Sequence, residues 1–410
     1  MDMGVDADLE GRIIVAGGGI GGLAAALAAS RAGHRVTVLE RAPVLGEIGA
    51  GIQLGPNAFR AFEALGVGRA ARSSAVYVDR LVMMDAMSAE EVCHVDVGDA
   101  FRARFGDPYA VVHRGELHRV LLRACEADPR VTLRTDAGIA GYEATADGAT
   151  AILASGERVA GAALVGADGL WSAVRAQLVA DGPPRVSGHT TYRSVIPTGE
   201  MPEDIRWNAA ALWCGPKVHL VHYPLSDGKT FNLVVTAHDD AREPAAGVPV
   251  AHDEVLRHFA HIHPRAQQLI HAGRDWKYWV LCDRDPVLRW TDGRVALLGD
   301  AAHPTLQYLA QGACMALEDA VTLGEALADH PGDLPAALVA YQDARLLRTA
   351  RVVLQSRAIG DHVYHPTGAH AALRNAIMGA KSQAEWLDVF DWLYGSGWQP
   401  RGAATARAAA

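Results

Sequence analysis

Residues 12–40 place the strongest constraint on what this chain can fold into. The apolar run Arg12-Ile13-Ile14-Val15-Ala16 ends in Gly17-Gly18-Gly19, and a helical stretch rich in Leu and Ala follows as far as Gly33. A second β-branched run, Val36 to Leu39, then closes on Glu40. Strand, turn, helix and strand within about 30 residues make one βαβ unit of dinucleotide-binding size. The three glycines of Gly17-x-Gly19-x-x-Gly22 allow a tight turn, close approach of a pyrophosphate to the backbone, and close packing of the helix, whose N-terminus attracts phosphate. Glu40, at the end of the next strand, can accept hydrogen bonds from ribose hydroxyls, and the adjoining Arg41 is counted with it in the cofactor set. A glycine-rich packing turn beside an exposed Glu would leave the separation of the two features unexplained. There is no second glycine fingerprint, so a second dinucleotide, if used, visits transiently.

The 410 residues, half of them hydrophobic, suffice for two intimately joined domains. The formal charge of −9 argues against a large nucleic-acid footprint, which needs clustered Lys and Arg, and small-molecule chemistry is expected instead. The start, MDMGVDADLEGR, is acidic and lacks an apolar run behind a basic segment, so neither a signal peptide nor a membrane span is expected, and a cytoplasmic location is. Five scattered cysteines without a CxxC pair suggest reduced core thiols. His261-x-His263 lacks a third ligand, so no metal is expected.

From about 185 to 285, alternating segments such as VHLVHYPL and FNLVVTAH predict an antiparallel sheet, and Val295 to Leu298 returns as an apolar strand ahead of a helical pattern from about 312 to 328. The expected fold class is α/β: a Rossmann-like domain interleaved with an antiparallel-sheet substrate domain and a helical C-terminal region. The cofactor domain takes residues 1–80, 105–184 and 285–333, the substrate domain 81–104 and 185–284, and the helical region 334–410, whose tail RGAATARAAA reads as frayed.

Three further segments follow in order: His113-Arg114-x-x-Leu117, Asp168-Gly169-x-x-Ser172-x-x-Arg175, and Gly299-Asp300-Ala301-Ala302-His303-Pro304. With the first turn, they resemble the signature set of the single-component FAD-dependent aromatic hydroxylases, the group A flavoprotein monooxygenases. The resemblance implies bound FAD with Arg114 at its pyrophosphate or ribityl region, Asp300 on the ribityl chain, and the segment Asp168 to Arg175 serving FAD and the arriving nicotinamide. An Arg fork suits phosphate oxygens, although a surface ion pair is the plainer role for such a residue. The helix beginning near Gly312 is expected to aim its positive end at the flavin pyrimidine edge. His303 is expected to hydrogen-bond within its own loop.

Many family members read Pro-x-x-Gly-Gln-Gly after the Gly-Asp motif, whereas this chain has Gln307-Tyr308-Leu309-Ala310-Gln311-Gly312. Gln at this place, and the strand VHLVHYPL, resemble a hydroxybenzoate-hydroxylating branch of the family. The resemblance implies that His219 and Gln307 flank a phenol oxygen, with Tyr223 orienting the ring or its carboxylate. Neutral His is a suitable base for a phenol, and a Gln amide can orient a phenolate without adding charge. An isolated strand His is more often structural, and strand alternation turns His222 to the opposite face.

The implied activity is para-hydroxylation of 3-hydroxybenzoate to 2,5-dihydroxybenzoate with NADH and molecular oxygen, through a C4a-hydroperoxyflavin, NADPH being the second choice of donor. Relatives of this kind are commonly dimers, so a homodimer is expected. Alternatives are salicylate or a hydroxynicotinate-type ring as substrate, or, in another class, a Rossmann-like binding protein without turnover.

Overall fold

In the computed structural model, which describes residues 11–46 and 51–401, Arg12–Ala16 is the central strand of a six-stranded sheet. The acidic start of the chain before residue 11 and the tail after residue 401 lie outside the described residues. The strand order is Thr291–Asp292, Val295–Leu297, Ala163–Gly166, Arg12–Ala16, Arg35–Leu39, Val131–Arg134. Its four inner pairings are parallel, and only the edge strand Thr291–Asp292 runs antiparallel to its neighbour. Ile13, Ile14 and Val15 are fully buried, as a strand covered on both faces requires. Val295–Leu297 thus pairs with a strand 131 positions earlier, and the sheet is assembled from distant parts of the chain.

The turn between the first strand and helix Ile20–Arg31 is set by two glycines. Gly17 has φ +102°, a left-handed conformation that costs a side-chain-bearing residue about 1–2 kcal/mol. An added Cβ on Gly22 would lie 1.9 Å from the Gly17 carbonyl oxygen, so only a bare backbone lets the helix close onto the turn. The helix packs against Gly312–Asp329, which carries the same small-residue character.

The second sheet has eight strands in the order Ala246–Pro249, Lys277–Asp283, Arg185–Pro197, Thr230–His238, Val218–Leu225, Ala209–Gly215, Arg80–Asp85, Glu91–Asp96. Every pairing within residues 185–283 is antiparallel, and the single parallel pair joins Ala209–Gly215 to Arg80–Asp85. One face packs on its own core around Trp213, Leu220, Leu233 and Phe259. The other looks toward the first domain.

The C-terminal region is helical as expected. Helix Leu334–Ile359 is capped by Asp333, and its last turn widens into a π-helical segment, Gly360–Tyr364. Helix Gln383–Tyr394 starts with a Ser382–Glu385 capping box and docks through Arg60, which donates to the Tyr394 carbonyl at 2.6 Å. No helix among the described residues is long and apolar enough to cross a membrane.

Replacing Gly22 with Ala forces a methyl against the Gly17 carbonyl. The expected cost is about 1–3 kcal/mol of stability. It is checked by urea denaturation of Gly22→Ala beside the parent protein, and an unchanged midpoint would contradict the close-packing role.

Candidate active site

A cavity of about 1200 Å³ runs from the glycine turn to the open face of the eight-stranded sheet, and the C-terminal helix residues Trp386, Phe390 and Tyr394 are among those lining it. The volume exceeds the roughly 300–1,000 Å³ of an ordinary small-molecule site, leaving room for a dinucleotide and a second small molecule. At its dinucleotide end, helix Ile20–Arg31 begins at Gly19 with no side chain capping its first amides, which leaves them for a ligand's phosphate. Glu40 is fixed by two backbone amides, Gly18 N at 2.7 Å and Ala42 N at 2.8 Å, and as a carboxylate it retains acceptor sites for hydroxyls. Arg41, Arg114, Asp168 and Asp300 also border the cavity. His118, absent from the motif reading, holds the turn from behind through the Gly18 carbonyl at 2.7 Å.

The loop carrying Asp300 is pinned from two sides. Asp319 accepts from Gly299 N at 3.0 Å, from His303 Nε2 at 2.6 Å and from Arg345 at 2.7 Å. Glu318, beside it, takes Arg348 at 2.7 Å, Asn57 at 2.6 Å and a 2.7 Å ion pair with Arg345. Burial alone would raise both carboxyls, but His303 and Arg345 hold Asp319 down at about 2, and Arg348 and Arg345 do the same for Glu318. On the other side, Arg175 donates to the Ala301 and Ala302 carbonyls at 3.1 and 2.6 Å. Asp300 is left exposed to the cavity beside Gly312, where helix Gly312–Asp329 begins without a side-chain cap.

Two expectations change here. Arg175 is fully buried, paired with Asp181 at 2.6 Å, and spends its remaining donors on main-chain carbonyls, so its side chain braces the Asp300 loop. His303 bonds to Asp319 on the following helix, not within its own loop. Asp168 reaches the cavity wall, but its carboxylate accepts from Ser172 Oγ, Ala173 N and Val174 N of its own helix start. Gly22 acts through packing, and His261 and His263 bond to backbone groups.

At the other end, the sheet face presents rows of side chains in register. Thr191, Thr236 and His219 lie side by side on adjacent strands, as do Arg193, Val234 and Val221, then Asn232 and Tyr223. Gln307 donates from Nε2 to Thr236 Oγ1 at 3.0 Å and to Thr191 Oγ1 at 3.3 Å, which sets it next to His219. Because a hydroxyl both donates and accepts, the amide fits the two threonines either way round and can turn its nitrogen to a ligand. His219, Gln307 and Tyr223 all line the cavity. His219 is 1% exposed, and burial first, then His365 and His189, drive its pKa far below the usual imidazole value, so it stands neutral. His222 lies on the other face among Trp207, Trp213 and Phe231.

Sequence reasoning missed Arg193, whose guanidinium lies 5.3 Å from the centre of the Trp279 ring at the cavity wall and makes no ion pair among the described residues. It also missed Tyr308 and Tyr364, which meet edge-to-face at 5.0 Å beside His219. Cys125, Cys214 and Cys314 are buried, their thiols pushed up to about 12 by desolvation, and are packing residues.

The departure at Ala310 has a structural meaning. Its backbone is left-handed, φ +51° and ψ +39°, at the corner between the Gln307–Leu309 turn and the helix. Gly is the easy residue in that conformation, and Ala holds it under strain.

A family model described as FAD binding domain matches residues 10–356. The chain is 53% identical over 387 residues to 3-hydroxybenzoate 6-hydroxylase 1 of Aquipseudomonas alcaligenes, covering 94% of this chain and 98% of that one. It is 49% identical over 383 residues to 3-hydroxybenzoate 6-hydroxylase of Polaromonas naphthalenivorans, covering 93% and 95%. Among solved structures, Klebsiella pneumoniae HpxO complexed with FAD and uric acid superposes with a TM-score of 0.83 at 26% identity, covering 94% of this chain and 98% of that one.

Two outcomes follow from the loop and its corner. Arg345→Met removes the cation shared by two buried carboxylates, leaving Glu318 to Arg348 and Asp319 to His303, and should cost about 3–5 kcal/mol in denaturant titration at neutral pH. The contribution of the ionised pair is present in full above the ordinary carboxyl values of 3.8 and 4.5 and is lost as pH falls toward the folded value of about 2, so the variant's deficit should narrow in acid. Ala310→Gly should leave the protein as stable or raise stability by up to about 1 kcal/mol, since relief of the left-handed strain slightly exceeds the entropy gained by the unfolded chain. A drop in melting temperature would show that Ala310 is unstrained.

Proposed function

The chain belongs to the FAD binding domain family, and from that premise we propose that it hydroxylates 3-hydroxybenzoate para to the phenol, releasing 2,5-dihydroxybenzoate. It is an FAD-dependent aromatic-ring monooxygenase. The residues present fit FAD. The uncapped amides after Gly19 suit its pyrophosphate, Glu40 its ribose, Arg114 its pyrophosphate or ribityl region, and Asp300 its ribityl hydroxyls. When bound, FAD supplies an electrophilic oxygen atom taken from O₂, with NADH proposed as the electron donor.

The chain's own part is to bind the ring and raise its electron density. His219, neutral and at the cavity wall, takes the phenol proton, which pushes density to the ortho and para carbons. Gln307, fixed on Thr236 and Thr191, holds the phenolate oxygen without adding charge. Tyr223 and Arg193 lie toward the far row of the sheet face, where we assign the substrate carboxylate. The observation that carries this proposal is that His219 and Tyr223 on one sheet face, with Gln307 packed against that face from its own turn, share the cavity with the glycine turn. A cytoplasmic homodimer is the proposed setting, supported by the five unpaired cysteines and by Leu347 and Leu354, exposed one heptad apart on helix Leu334–Ile359. Sedimentation as a monomer would remove the second part.

The test is NADH consumption by FAD-loaded protein across hydroxybenzoates, salicylate and 6-hydroxynicotinate, with chromatography of the products. Stimulation by 3-hydroxybenzoate with formation of 2,5-dihydroxybenzoate is expected, and stimulation by salicylate alone would reassign the substrate. His219→Ala should lower ring hydroxylation about 100-fold, the low end of what a general base contributes, while flavin content stays unchanged.

A further inference from the structure

His219 is the first of four imidazoles that lie in contact from the cavity outward. Its Nδ1 meets Nε2 of His365 at 2.8 Å, which leaves its other nitrogen to face a phenol. His365 comes from the turn after the π-helical segment, is 6% exposed, and does not line the cavity. Its ring centre is 5.0 Å from that of His189, and His189 is 4.5 Å from His238, its cross-strand partner. His238 is half-buried and 3.4 Å from the exposed carboxylate of Asp240. Nδ1 of His365, the atom from which a proton would leave, is buried with no hydrogen-bond partner among the described residues. The rings of His365, His189 and His238 touch edge-to-face at 4.5–5.0 Å between centres, and a ring rotation would bring their nitrogens within hydrogen-bonding reach. Tyr308, at the cavity wall, bonds His189 Nδ1 at 2.5 Å, a bond that must open for that ring to turn.

We propose that His365 receives the proton that His219 takes from the substrate phenol, and that His189 and His238 conduct it to water at Asp240. The inference rests on the phenol-hydroxylation proposal above. The proton count closes without electron transfer. The phenol O–H breaks as an N–H forms on His219, the Nδ1 proton of His219 passes to Nε2 of His365, and the Nδ1 proton of His365 leaves by way of His189 and His238. His365 and its successors act through His219, so they are positioning residues.

Burial explains why a relay is needed. Desolvation, with His365 and His189 close by, keeps His219 from retaining a positive charge, and His365 is likewise driven down to about 3 by burial, His189 and His238. The other charged groups facing this row are Asp361 and Asp239, which favour a proton on His189, and Arg185, which opposes it. Tyr364 stacks edge-on against His219 at 4.8 Å, and Cys214 lies opposite it on the next strand. A buried base with no route outward would return its proton to the phenolate.

The experiment mixes FAD-loaded protein with 3-hydroxybenzoate without oxygen in a stopped-flow spectrometer and follows the ultraviolet band of the bound phenolate across pH. His365→Phe keeps a ring of similar size but no nitrogen. It should bind flavin and substrate as the parent does, yet form phenolate about 100-fold more slowly, as loss of a general base would. Added imidazole should restore part of the rate, and His238→Phe should slow it in the same direction but less. Phenolate formation at the parent rate in His365→Phe overturns the relay. If that variant does not fold, His365→Gln and His238→Phe carry the test, and parental rates in both overturn it equally. A parent protein that ionises no 3-hydroxybenzoate overturns the substrate assignment, a result separate from unchanged rates in the variants.

Discussion

Two adjacent carboxylates, Glu318 and Asp319, sit with no solvent contact on helix Gly312–Asp329, and the geometry of the cavity depends on how they are neutralised. Arg345 lies between them, Arg348 and Asn57 complete Glu318, and His303 and the Gly299 amide complete Asp319. Arg345 is the one cation shared by both carboxylates, so its removal would weaken both sides at once, and the members are held together as a unit. Its directional result is that the loop bearing Asp300 cannot move away from the start of the helix. Arg175 secures the same loop from the outside through two carbonyls. A rigid, charged interior thus serves a flexible-looking surface, the short loop that faces the ligand.

Much of this was legible in the sequence wherever the signal was local. The glycine turn, the following helix and Glu40 are neighbours in the chain and owe their arrangement to backbone geometry that a spacing of glycines encodes. Strand alternation correctly separated His219 from His222, because side chains on one strand must take opposite faces. The misreadings came where a local pattern has two physical uses. Arg175 lies in a motif read as cofactor-facing, but its helix turns the side chain inward, where Asp181 and two carbonyls absorb every direction of its charge. Nothing local announces His365, His189 and His238 as companions of His219, since 19 to 176 positions separate members that only strand register and a π-helical turn bring together. Arg193 was hidden for the same reason. Its meaning depends on Trp279 and Tyr223, which lie on other strands.

The two halves of the site differ in how they achieve precision. The dinucleotide end uses backbone, with amides and bare glycines fixed by close packing, and this suits a large ligand with phosphates. The end on the eight-stranded sheet uses side chains laid out on a β-pleat, where the spacing of strands sets the separation between His219, Arg193 and Tyr223.

The left-handed Ala310 separates these two regimes. Glycine there would admit several backbone shapes of similar energy, and Gln307 would sample them with it. Alanine has only a narrow left-handed basin, so the corner behaves as a stiff joint that admits one setting or none. The strain therefore narrows the ensemble around the amide, so the position of its nitrogen is set by the backbone and does not adjust to what enters the cavity.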